Sequence, residues 1–127
     1  MNARPLLLLL SFHLINAANA KAEAPDSKTR AAELFQQARA AFGRHDYAAA
    51  AAAFEQAATI EPHPAALLNA ADAWEANGDF TAAASACDRA LLLPTIDDRY
   101  RAEAEKRLVR LGAKVGTYEL RGDSSIV

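Results

Sequence analysis

Cysteine is nearly missing from this chain, with Cys87 alone among 127 residues. A lone thiol cannot staple a fold internally, so a disulfide framework is excluded. Charge of one sign is missing too. The formal net charge is −2, with charged residues of both signs making up 24 % of the chain, and this leaves no basic footprint for nucleic acid. There is no glycine-rich phosphate loop, no nucleophile elbow and no pair of catalytic carboxylates. His45 sits in a turn and His63 between prolines, without the neighbouring cysteine or acidic pair that metal ligation calls for. The sequence predicts no catalysis, no cofactor and no metal.

Long apolar runs are missing after the first twenty residues. Met1–Arg4 is a short positive start, Leu6–Leu10 is unbroken leucine extended by Phe12, Leu14 and Ile15, and Ala18-Asn19-Ala20 supplies small residues two apart. This predicts a signal peptide over residues 1–20, cut after Ala20. The alternative is an uncleaved membrane anchor, but the apolar core is roughly ten residues against about 20 for a span. No cysteine follows the leucine run, so a lipid-modified bacterial N-terminus is not expected. The expected location is outside the cytoplasm, in the periplasm or envelope of a bacterium.

What the chain has is alanine and a repeat. Hydrophobic residues make up 52 % of it, much of that alanine, which buries little area per residue. The stretch Asp46–Pro62 is echoed by Asp79–Pro94. Asp46 answers to Asp79, Tyr47 to Phe80, Ala50 to Ala83, Phe54 to Cys87 and Ala57 to Ala90, all at an offset of 33 residues. Upstream the same offset pairs Leu34 with Leu67, Ala38 with Ala71 and Ala41 with Trp74. A constant offset over this length means one structural unit used twice.

Residues 21–26 read as a solvated leader, and Asp26 or Ser27 caps a first helix running to about residue 44. Its stripe is Ala31, Leu34, Phe35, Ala38, Ala41 and Phe42. After a Gly43–Asp46 turn, Asp46 caps a second helix over about 47–60, burying Tyr47, Ala50, Ala51, Phe54, Ala57 and Ala58. Pro64 opens a third helix, where its missing N–H costs nothing, with Leu67, Leu68, Ala71 and Trp74 inward. Asn77-Gly78-Asp79 turns the chain into a fourth helix carrying Phe80, Ala83, Ala84, Cys87, Ala90 and Leu91 inward. Thr95 and Asp98 suggest a capping box for a fifth helix over about 96–112. Its stripe is Tyr100, Ala104, Leu108 and Leu111, and Arg99, Arg101, Glu103, Glu105, Lys106, Arg107 and Arg110 form a polar outer face, as an end cap needs. Residues 113–127 read differently. Lys114–Leu120 alternates and predicts a strand, Arg121–Ser124 a turn, and Ser125–Val127 the start of a return strand. The Arg121-Gly122-Asp123 tripeptide is ordinary turn chemistry.

On these residues the chain resembles the tetratricopeptide repeats. The first unit offers Leu34, Ala38, Ala41, Ala50, Phe54, Ala57 and Pro62, and the second Leu67, Ala71, Trp74, Ala83, Cys87, Ala90 and Pro94. The His-Asp-Tyr and Gly-Asp-Phe turns fit the family's Gly-Asp-Tyr turn. Gln37 and Ala41 depart from the pattern, and the period is one residue short of the usual about 34. The resemblance implies an all-α domain over residues 27–112: repeats at about 31–63 and 64–96 and a capping helix at 96–112, in a right-handed solenoid followed by the short β segment. A leader, two repeats with Leu67-Leu68-Asn69, a charged helix and Val115-Gly116-Thr117 are also similar to exported bacterial proteins whose repeats precede a small β domain, in some of PEGA type.

The resemblance implies an exported, non-catalytic scaffold that binds a protein or peptide. The alternative is a structural spacer holding a C-terminal β domain. The expected concave face carries Phe35, Arg39 and Phe42 from the first helix and Leu68, Asp72 and Glu75 from the third. Read functionally it is a groove for a helix or extended peptide; read blandly, Phe35 and Leu68 pack against the fifth helix and no groove exists. Asn69 matches one position of the terminal-carboxylate clamp found in some family members, but Phe35 and Arg39 replace the Lys and Asn expected in the first unit. Two alanine-rich units bury little, and the first helix presents Phe35 and Phe42 with few charges between them. A marginally stable monomer that self-associates through helix one is therefore expected.

Overall fold

The computed structural model describes residues 24–123 and contains five helices within them. These are α1 (Ser27–Gly43), α2 (Tyr47–Ile60), α3 (Pro64–Ala76), α4 (Phe80–Leu91) and α5 (Asp98–Asp123). Each helix packs on the next, and α3 also meets α5. The signal-peptide reading of residues 1–20 and the return strand at Ser125–Val127 lie outside the described residues. No helix among the described residues is long and apolar enough to cross a membrane.

The starts of the helices follow from short polar side chains accepting bonds from orphan backbone N–H groups. Asp26 accepts from Thr29 N at 2.7 Å and Asp79 from Ala82 N at 3.2 Å. At the start of α3 the cap is His63, whose Nδ1 accepts from Ala65 N at 3.1 Å, with Pro64 following as the first helical residue. The fifth helix begins differently from the Thr95–Asp98 expectation. Asp97 is its cap, accepting from Tyr100 N at 2.9 Å.

The two hairpin turns correspond, but with different residues at their tightest point. Gly78 has φ +82° and His45, one repeat earlier, has φ +63°. The left-handed region suits glycine and strains histidine. His45 is held there while its Nδ1 lies 2.6 Å from the Tyr47 hydroxyl.

Burial follows helical spacing. The buried residues of α2 are Ala50, Ala51, Phe54, Ala57 and Ala58, and those of α4 are Ala83, Ala86, Cys87 and Ala90. In α3 they go nearly all round, from Pro64 through Ala66, Leu67, Leu68, Ala70 and Ala71 to Ala73, because this helix sits between α2 and α4 and also touches α5. The wholly buried side chains of greatest volume are Leu111 and Cys87. Trp74, expected to face inward with Leu67, Leu68 and Ala71, is only half-buried, and its Nε1 donates to Glu55 of α2 at 3.3 Å.

The C-terminal strand expectation is overturned. Lys114–Leu120 is helical, and α5 continues through it to Asp123. Val115 falls four residues after Leu111 and is half-buried, so it extends the stripe Ala104, Leu108, Leu111 that packs α5 down. Seven alternating residues fit a strand and a helical continuation alike, and the helix continues despite roughly 1 kcal/mol of helix propensity lost at each of Gly112 and Gly116.

Candidate functional site

The inner side of α1 faces α3 across a trough. Its main part is a cavity of about 450 Å³ lined by Phe35, Arg39 and Phe42 of α1, Phe54 of α2, and Asn69 and Asp72 of α3. A second cavity of about 310 Å³ continues past Phe35 toward the start of α1, where Lys28, Ala32, His63 and Ala66 line it. Phe35 belongs to both, so it stands between the two parts of the trough.

Aromatic packing shapes the walls. The Phe35 ring meets Phe54 edge-on at 5.1 Å, and Phe42 meets Tyr47 likewise at 5.1 Å. Phe54 is buried while Phe42 remains 37 % exposed. Phe35 therefore packs back onto its own hairpin. Because α5 packs on α4 and α3, the trough stays open.

Of the six expected groove residues, Phe35, Arg39, Phe42 and Asp72 come together here. Leu68 is only 4 % exposed and belongs to the core. Glu75 is taken by α5: Arg110 grips it through Nε to Oε1 at 3.1 Å and Nη2 to Oε2 at 2.6 Å, and Lys114 Nζ reaches Oε1 at 2.6 Å. Arg110 above all, with Lys114, holds the Glu75 carboxyl far below its usual range, at about 2. Asp72 is gripped in the same way by Arg107, Nε to Oδ1 at 2.9 Å and Nη2 to Oδ2 at 3.1 Å. Arg107 and Arg110, read from sequence as outer-face charges, in fact reach back to α3. Their signal was present as two opposite-charge pairs at one separation of 35 residues.

Sequence reasoning placed Phe54 in the core only and weighed Asn69 solely as a clamp residue, and both line the trough. Cys87 is fully buried, and burial pushes its thiol up to about 11, which leaves almost no thiolate at neutral pH.

Two helical hairpins closed by a charged helix, with an open trough between the first helices of the hairpins, define an α-helical repeat protein. The family model for the tetratricopeptide repeat matches residues 35–104, and the chain belongs to that family. The chain matches no curated protein and no solved structure. Tetratricopeptide repeats generally mediate protein–protein interaction, and a scaffold role accords with that.

Proposed function

We propose that this chain is an exported, non-catalytic scaffold whose α1–α3 trough receives a segment of a partner protein. The observation that carries the reading is the trough itself: a channel with aromatic walls and a few polar groups along it, which is the usual make-up of a recognition groove. Export is supported by the leucine run and the Ala18-Asn19-Ala20 site. A second copy of the chain would use the same face of α1, so self-association competes with partner binding. The alternative is a structural spacer for a C-terminal β domain; the strand at Lys114–Leu120, one of the features that suggested it, lies within α5.

Photo-crosslinking in the producing cell tests the reading. A crosslinking residue at Arg39 or Phe42 should give a discrete adduct that the same residue at Arg99, on the exposed side of α5, does not. Equal adducts from both positions would overturn the trough assignment. N-terminal sequencing of the exported protein should begin at Lys21, and an intact Met1 would remove export from the proposal.

A further inference from the structure

Charge is distributed unevenly over this fold. The ion pairs among the described residues are Arg89–Glu55, Arg107–Asp72, Arg107–Glu103, Arg110–Glu75 and Lys114–Glu75. All of them lie on α2 to α5. The three cations of α1, Lys28, Arg30 and Arg39, take part in none, and the single acidic residue of that helix is Glu33. Of these three, Arg39 and Lys28 line the trough, while Arg30 lies beside Glu33 at another cavity.

Arg39 is the telling member. It lines the same cavity as Asp72, the acidic residue in that lining, but both carboxylate oxygens of Asp72 are bound by Arg107. Asn69, half-buried on the same wall, makes no side-chain hydrogen bond among the described residues. A free guanidinium beside a free carboxamide, between phenylalanine rings, offers charge-assisted bonds to a carboxylate carried on an apolar chain. Lys28 lines the far cavity together with Glu61, so the net positive charge of the trough sits at Arg39. From Arg39 to Lys28 is three turns of helix, about 16 Å, which about five residues of extended chain would cover. Phe35 lines both cavities, so a chain laid over it can reach into each without ending there.

From this we infer that the occupant of the trough is an internal, extended segment of a partner protein in which acidic and apolar residues are interleaved, with one carboxylate paired to Arg39. The inference rests on the trough being the binding face and adds what binds there. Apolar side chains on either side of that carboxylate sit against Phe35 and Phe42.

The test is selection of a random peptide library of about twelve residues, displayed with its C-terminal end fused, against the full chain. Phe35→Glu serves as the counter-selection. Selected peptides are then made with amidated and with free C-termini and titrated by fluorescence anisotropy. Peptides dependent on Phe35 should carry Asp or Glu among apolar residues and bind equally in both forms. They should weaken at least about tenfold on Arg39→Ala, and a peptide with Lys in place of its acid should recover binding to Arg39→Glu. Circular dichroism of the Arg39 variants, altered at an exposed position, should match wild type. Phe35-dependent peptides that are neutral or basic, or indifferent to Arg39, would overturn the acidic segment while leaving the trough as the site. Binding only by the free acids would overturn the internal segment. No Phe35-dependent peptide at all would remove the trough and this inference together. Displacement of every peptide by unlabelled chain at low concentration would show that the occupant is a second copy.

Discussion

Replacing Glu75 by Gln perturbs the junction that fixes α5 to the repeats. The carboxylate of Glu75 is 16 % exposed and bound by Arg110 and Lys114. It is held at about 2 against its ordinary 4.5, a difference that corresponds to about 3 kcal/mol at full strength. Both cations are more than 40 % exposed, and solvent screening reduces the contribution to about 1–2 kcal/mol. A depressed carboxylate stabilises the fold above its unfolded value, and that stability is lost as pH falls through the folded one. The loss therefore falls between pH 4.5 and about 2. Urea melts of wild type and Glu75→Gln should differ by about 1–2 kcal/mol at neutral pH. The gap should shrink steadily below pH 4.5 and narrow in about 1 M salt, where the Debye length is about 3 Å. A gap that stays constant with pH and salt would mean that the variant acts through packing and that the ion cluster contributes nothing.

The remaining expectations concern the core and the first turn. Phe54→Ala should cost about 3–5 kcal/mol in urea unfolding, since Phe54 is buried against Phe35; a cost under about 1 kcal/mol would mean the α1–α2 hairpin is packed otherwise. Trp74→Ala should cost less than that, about 2–3 kcal/mol, because Trp74 is half-buried; a larger loss than at Phe54 would reverse the ranking. His45→Gly should raise stability by up to about 1 kcal/mol by relieving the left-handed backbone, and a clear loss would show that the Tyr47 contact outweighs the strain. Cys87 should stay unmodified by a thiol reagent in the native state at neutral pH and react on unfolding, since its thiol is held up at about 11.

The hairpins were legible in the sequence because each level of signal agreed. Asp46 and Asp79 are caps in the structure as in the pattern, Pro64 opens its helix, and the Ala50/Ala83 and Phe54/Cys87 pairs occupy matching buried sites. The end of the chain was less legible. A short alternating stretch with a glycine in its middle carries no decisive local preference, and in the structure it continues α5. The trough was half legible. Helical spacing puts Phe35, Arg39 and Phe42 on one face, but the loss of Glu75 and the neutralising of Asp72 come from Arg107, Arg110 and Lys114. Whether a charged residue on a closing helix points outward or back depends on how that helix is rotated. Its own sequence does not fix that rotation.

The most direct test of the central claim is an NMR titration of the full chain with a Phe35-dependent peptide, following backbone amides residue by residue. The largest shifts should fall at Phe35, Arg39, Phe42, Asn69 and Asp72, with the exposed side of α5 around Arg99 and Glu105 unmoved. Shifts centred on that side of α5, or spread evenly over the chain, would contradict it.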